Sequence, residues 1–290
     1  MKTFKKQYYD DAATTTPAIR RNKARGFNDI FGELIERCLG AKSNTKLVEL
    51  GVGGGGSHEF WHDCTTDSNI YGVDWWKNIE DWSEDERHKY KNHTKHLDDV
   101  YNIAVPKWKS NPRMHYIPGN TCKEQCALDL IDYTNGEKFN VIINDSIQTG
   151  FRYRHLEWLD WYSNILTDDG IILWGAVEGY YKKIYQPGDR MFKRMKEKDP
   201  NIKLPNDGVI TVGETHPFVD GWVVLDLDEY ADHKLLEDLA KTATAPKFGN
   251  KNTSKPHSYL WVWAHNFSLY KDILNKYKIV SGKELLDENN

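Results

Sequence analysis

Apolar positions recur along the chain with two different periods, and the changes of period predict the elements. Phe27, Ile30, Phe31, Leu34, Ile35 and Cys38 fall three and four apart, which predicts a helix with one apolar face, and Gly40 is placed to end it. The next apolar run, "KLVEL" (46–50), is short and predicts a buried strand that leads into a glycine loop; Ser57 then predicts an N-cap for a helix starting near His58. "NIYGVDWW" (69–76), "MHYIP" (114–118), "KFNVIIND" (138–145) and "GIILWGAV" (170–177) predict four further strands. Between them lie a charged, Trp-bearing interval at 77–112, a predicted helix at 123–134, and another through Leu156, Leu159, Trp161 and Ile165.

Strands alternating with helices predict an α/β domain with a parallel sheet covered on both faces. After residue 178 the rhythm changes. Residues 179–220 hold Pro187, Pro200 and Pro205 around one basic helical stretch with Arg190, Lys193, Arg194 and Lys196, which predicts an insertion after the fifth strand. Such a segment leaves the carboxyl edge of the sheet, where it either closes over a substrate as a lid or covers an edge strand as a solvated insertion. "GWVVLDLDEY" (221–230), a helix near 232–241 and "YLWVWAHN" (259–266) follow, so the expected sheet is seven-stranded and mostly parallel. Residues 1–25 are polar and predict an N-terminal arm, leaving 26–290 as one domain.

Composition narrows the classes of function. With 39% hydrophobic and 28% charged residues the chain is globular and not disordered. No apolar run approaches the roughly 20 residues of a membrane span, and "MKTFKKQYYDD" lacks the apolar core of a signal peptide. A cytoplasmic location without membrane attachment is therefore expected. The net charge of −4 is built from interspersed signs, which argues against nucleic acid as a partner and leaves a small molecule. Cys38, Cys64, Cys122 and Cys126 have no paired spacing and are expected to be reduced and mostly buried.

Two incompatible sites overlap in "LVELGVGGGGSHEFW". Glu49, Gly51, Gly53 and Gly55 spell E-x-G-x-G-x-G, a strand-to-helix loop that lets backbone approach a nucleotide-type cofactor. The same glycines would also serve as a tight turn of any α/β fold. His58, Glu59 and His62 spell H-E-x-x-H, which on a helix places two imidazoles on one face with a carboxylate base and predicts a zinc hydrolase. No third ligand is obvious, although Glu80, Glu84 and His88 lie downstream, and the frayed helix start after four glycines favours His58 and His62 as helix-surface residues near the cofactor mouth. Asp74, at the end of the second strand, is placed to accept the hydroxyls of a ribose, with Trp75 against an adenine. NAD uses the same carboxylate, so Asp74 indicates an adenosine-containing ligand without choosing between cofactors.

The stretches "VELGVGGGGS", "YGVDWW", "YIPGNT", "FNVIINDSI" and "DDGIILWGAV" resemble the successive motifs of the class I S-adenosylmethionine-dependent methyltransferases. The resemblance runs motif by motif over residues 27–178 and by strand order alone beyond. It implies a Rossmann-like sheet flanked by helices, with S-adenosyl-L-methionine as cofactor. By it Glu49, Gly51, Gly53 and Gly55 face the methionine part, Asp74 the ribose with Trp75 beside it, and Asn120 and Thr121 the adenine edge. Asp145 lies beside the transferred methyl group.

A finer resemblance is to the O-methyltransferases of sugars, macrolides and cephalosporins, whose fourth strand ends in D-D-G-S-H. Here Asn144, Asp145, Ser146, Ile147 and Gln148 stand instead, and Gly175 and Ala176 replace an acidic pair, with Glu178 beyond. One carboxylate makes a poor magnesium site, so no metal is expected.

Asp145 and His155 are the candidate catalytic groups, either of which would orient or deprotonate an acceptor hydroxyl; His155 would equally serve as a helix-face residue. Arg152 and Arg154 would hold an anionic substrate group or solvate the helix start, and Trp174, Tyr180 and Tyr181 would wall a pocket or pack. The expected activity is methyl transfer to a small hydroxyl-bearing acceptor. The alternatives are an adenosine-ligand binding protein without transfer and the zinc hydrolase.

Overall fold

The computed structural model describes residues 26–40, 42–52, 56–65, 67–74, 105–121, 123–145, 151–176, 218–219, 222–235 and 259–280. Strand β1 (Lys46–Leu50) pairs in parallel with β2 (Asn69–Asp74) on one side and with β4 (Phe139–Asn144) on the other. Every residue of β1 and β4 is buried, which explains why both read as apolar runs and not as alternating patterns. β3 (Met114–Pro118) adds outside β2, and β5 (Leu166–Ala176) outside β4, both in parallel.

Past β5 the direction reverses. β8 (Tyr259–Ala264) runs antiparallel to β5, and β7 (Trp222–Asp226) antiparallel to β8, so β7 points the same way as the first five strands. Two-residue strands β6 (Phe218–Val219) and β9 (Lys278–Ile279) both pair with β7, and the order is β3-β2-β1-β4-β5-β8-β7-β6. The described sheet thus has nine strands where seven were expected; two residues are too few for any alternation to show in the sequence.

The helices are α1 (Asn28–Leu39), α2 (Gly56–Cys64), α3 (Val105–Lys109), α4 (Glu124–Tyr133), α5 (Phe151–Asn164) and α6 (Lys271–Leu274). They cover both faces of the sheet. Val48, Leu50, Val73 and Ile142 face a core with Leu130 of α4 and Trp158 and Tyr162 of α5. Leu47, Ile70, Val141 and Ile143 face the opposite core with Phe31 and Leu34 of α1, Trp61 of α2 and Ile273 of α6. By this two-residue alternation Glu49 and Gly72 belong to the α1–α2 face.

Most predicted boundaries lie within a few residues of the observed ones, with "MHYIP" matching β3 residue for residue. β5 starts at Leu166, four positions before the predicted "GIILWGAV", because a register shift between Phe139 and Val141 lets Leu166 pair before the main ladder begins. Ser57 lies inside the first turn of α2 and does not cap it. The N-terminal arm, the lid up to residue 217, and most of the 77–112 interval lie outside the described residues. Of the predicted 232–241 helix, residues 233–235 are described and helical. Among the described residues no helix is long and apolar enough to cross a membrane.

α2 lies directly on the backbone of β2. A Cβ at Gly72 would come within 2.9 Å of His58 Cε1 and 3.0 Å of both His58 Nδ1 and Val52 Cγ2. Gly72→Ala is expected to cost about 1–3 kcal/mol by forcing α2 away from the sheet. Urea unfolding checks this, and an unchanged midpoint would mean that α2 yields freely.

Candidate functional site

The strand order reverses between β1 and β4, and the carboxyl ends of strands flanking such a reversal form a crevice where ligands of open α/β sheets bind. Three backbone bonds tie the loops there. Gly51 N–H donates to the Val73 carbonyl at 2.8 Å, Asp145 N–H to Leu50 at 2.8 Å, and Gly119 N–H to Asp74 at 2.9 Å. They bring Gly51, Asp74, Asn120, Thr121 and Asp145 to one edge. Gly51 has φ +90°, a conformation that L side chains rarely adopt, so the turn out of β1 requires its glycine.

Glu49 is 1% exposed, directed to the α1–α2 face, where the Ser57 hydroxyl hydrogen-bonds its carboxyl group. Its Oε2 has no hydrogen-bond partner among the described residues. Burial pushes this carboxyl well above the usual carboxylate range; the Ser57 bond opposes the shift, and the neighbouring charges of Asp145 and Asp74 add to it. Three acids therefore converge on the reversal point, one of them dry.

Thr121 is also buried, and its Oγ1 has no hydrogen-bond partner among the described residues. Its carbonyl accepts two bonds from α5, from Trp158 Nε1 and from the Tyr162 hydroxyl, each 3.1 Å. Neither anchor was singled out from the sequence, although their spacing of four on a helix places both on one face.

The H-E-x-x-H residues are occupied elsewhere. His58 is fully buried and not on the helix surface, its ring edge-on to Trp108 with centroids 4.9 Å apart, and both nitrogens lack a hydrogen-bond partner among the described residues. Burial, with smaller contributions from His62 and His115, lowers its pKa to about 3, so the imidazole is neutral. Glu59 pairs with Lys107 at 2.8 Å and accepts from Trp108 Nε1 at 3.2 Å. His62 Nδ1 lies 2.9 Å from Asp63 Oδ1, while its Nε2 lies 2.7 Å from Arg113 Nη2 and 3.0 Å from Asn111 Nδ2. Arg113 can only donate, so the Nε2 lone pair that would bind zinc is already engaged. Among the described residues no group of three or more His, Cys, Asp or Glu is arranged to hold a metal ion.

Other candidates divide. Trp174 packs in the core, its ring centroid 5.9 Å from Trp222 and 5.5 Å from Trp261, so it is not a pocket wall. A Cβ at Gly175 would lie 2.6 Å from the Phe27 ring, so Phe27 fills the space that a side chain at 175 would need. Cys38 and Cys126 are buried, as expected; burial raises the Cys38 thiol to about 11, and it donates to the Asn140 carbonyl at 3.0 Å. Arg152, Arg154 and His155 lie on α5, with side chains outside the described residues. Gly53, Gly55, Trp75, Glu178, Tyr180 and Tyr181 lie outside them altogether.

No model of a known protein family matches the sequence. None of the curated proteins matches it either. Among solved structures the chain is similar to a probable spermidine synthase from Corynebacterium glutamicum, at 10% identity over 92% of this chain and 77% of that one, with a TM-score of 0.45. An O-methyltransferase from Bacillus cereus in complex with SAH follows at 11% identity, 88% and 90% coverage and a TM-score of 0.39. A putative S-adenosyl-L-methionine-dependent methyltransferase from Methanococcus maripaludis has 12% identity, 90% and 94% coverage and a TM-score of 0.36.

A carboxyl whose folded pKa lies above its ordinary 4.5 takes up a proton on folding, so its contribution is fully present below that value and is lost as pH rises through the folded pKa. Glu49→Gln is therefore expected to raise the melting temperature of the ligand-free protein at pH 8 and to leave it unchanged near pH 4. The wild-type slope from this group is at most about 1.4 kcal/mol per pH unit. Parallel melting curves for the two proteins across that range would show Glu49 ionised in the fold.

Protein purified without chelator is expected to hold no stoichiometric zinc by atomic absorption. His62→Ala should cost about 1 kcal/mol through the lost Arg113 contact. Tightly held zinc that disappears in the variant would restore the hydrolase reading.

Proposed function

We propose that this protein is an S-adenosyl-L-methionine-dependent methyltransferase acting on a small hydroxyl-bearing acceptor. The observation that carries the reading is the buried, unpartnered Oε2 of Glu49 at the reversal point, with Asp74 and Asp145 on the adjoining strands. A dry acidic crevice disfavours an anionic ligand and favours a cationic one. S-adenosylmethionine carries an ammonium and a sulfonium, whereas NAD would bring a pyrophosphate toward the same carboxyl groups. The antiparallel β8 between β5 and β7 also departs from the strand order 3-2-1-4-5-6 of dinucleotide-binding sheets.

The residues fit such a cofactor. Glu49 would hold the methionine ammonium, the positive-φ turn at Gly51 would allow close backbone approach, and Asp74 would accept the ribose hydroxyls. Asn120 and Thr121, whose buried Oγ1 has no protein partner, would meet the adenine edge. The bound sulfonium supplies an activated methyl group with a neutral leaving group already built in. What the protein adds is alignment and a place for the acceptor proton. Asp145, half-buried at the end of β4, and His155 on α5 are assigned to orient the acceptor hydroxyl and take its proton.

A second reading, an adenosine-ligand binding protein without transfer, is favoured by the replaced residues Asn144, Ser146, Ile147 and Gln148 and by Phe27 over Gly175. Calorimetry with S-adenosylmethionine or its demethylated product is expected to give micromolar binding or tighter, roughly −8 kcal/mol, weakened by Asp74→Ala. Tight NADH binding with no response to either ligand would exclude the cofactor. Turnover of bound cofactor with hydroxylated small molecules separates the two readings: transfer supports the enzyme, and binding without transfer across a broad panel supports the binding protein.

A further inference from the structure

Two buried side chains of α5 hold the loop that the proposed function assigns to the adenine, although neither approaches the strand ends by sequence. Trp158 and Tyr162 are 1% and 0% exposed, lie four residues apart on α5, and pack ring against ring with centroids 4.4 Å apart. Both donate to the same acceptor, the Thr121 carbonyl, at 3.1 Å. A carbonyl oxygen has two lone pairs. With both taken, the peptide cannot turn over without stranding two buried donors, so the direction of the chain at Thr121 is set from α5. The neighbouring bond from Gly119 N–H to Asp74 ties the other end of the segment to β2, between the ribose candidate and the adenine candidates.

This arrangement is more than a loop packing on a helix. A local bond, Lys123 N–H to the Asn120 carbonyl at 3.0 Å, closes the turn ahead of α4, and the two bonds from α5 fix how that turn faces the sheet. The Thr121 hydroxyl, inside the same turn, is buried without a partner. The turn is thus rigid in its backbone while keeping a dry hydrogen-bonding atom unused, which is the form of a recognition edge. α5 is also the element that follows Asp145 and carries His155, so one helix supports both the base edge and the acceptor side.

We propose that Trp158 and Tyr162 are positioning residues for base recognition: by gripping the Thr121 carbonyl they set the Asn120–Thr121 edge and give the site its preference for adenine over other purines. The proposal rests on the cofactor assignment above. Its test compares S-adenosylhomocysteine with its deaminated counterpart, S-inosylhomocysteine, by calorimetry on the wild-type chain and on Tyr162→Phe and Trp158→Phe. The wild type is expected to prefer the adenine ligand at least about tenfold, and each variant to lose about three- to tenfold of that ratio, with binding of the inosine ligand held constant.

A purely structural role would weaken both ligands equally and leave the ratio intact, which overturns the proposal. Equal binding of the two ligands by the wild type overturns it as well, with the cofactor assignment standing. Failure of the wild type to bind either ligand sinks the cofactor assignment and the proposal with it. Tyr162→Phe removes one oxygen and keeps the ring, so it decides the matter if Trp158→Phe does not fold. If neither folds, hydrogen exchange on the wild type with S-adenosylhomocysteine decides it. Protection reaching residues 158–162 as well as 119–121 supports the grip, and protection that leaves both segments unchanged overturns it.

Discussion

Strand β1 is buried along its whole length, paired on both edges and covered on both faces, and this constraint governs everything around it. A strand in that position has no water to satisfy its side chains, so its residues must be apolar or be answered from within. Glu49 breaks the rule. Its carboxyl group is answered on one side by Ser57 and left open on the other, at the point where the sheet reverses its winding. An ionised carboxylate there would cost several kcal/mol, and burial accordingly holds the Glu49 carboxyl well above the usual carboxylate range.

The rest of the crevice follows from the need to present polar atoms at the end of a dry sheet. The loops after β1, β3 and β4 are tied to neighbouring strands by backbone bonds, so Gly51, Gly119 and Asp145 emerge in fixed register. The loop after β3 lies next to the edge of the described sheet and receives a further grip from α5. The glycine turn and the Thr121 loop are supported by different layers: α2 beneath the first, α5 beneath the second.

The overlapping motifs of the opening loop illustrate how one segment serves packing and chemistry at once. His58 and His62 have ligand spacing, yet one turn of helix sends the first into the core beneath β2 and the second to Arg113. The close approach that Gly72 permits is what draws His58 inward. A glycine on β2, not the motif itself, sets where the His58 ring lies.

Periodicity alone determined the order of helices and strands, because burial on two faces writes apolar runs and burial on one stripe writes spacings of three and four. The acidic and glycine positions at the ends of β1, β2 and β4 were legible for a related reason: an abrupt polar residue after an apolar run marks where a strand leaves the core. The reversal of β8 between β5 and β7 was not legible, since strand direction leaves no local signature. Nor were the short strands β6 and β9, the fate of His58 and His62, the core position of Trp174, or the grip of Trp158 and Tyr162 on Thr121. Each of these depends on a partner that is distant in the chain: Gly72 for His58, Arg113 for His62, Trp222 and Trp261 for Trp174, and a backbone carbonyl 37 and 41 positions away for the two α5 donors. Local sequence sets which residues are apolar, turning or charged; only the folded sheet decides which of them meet, because those meetings are made across strands that the chain visits far apart.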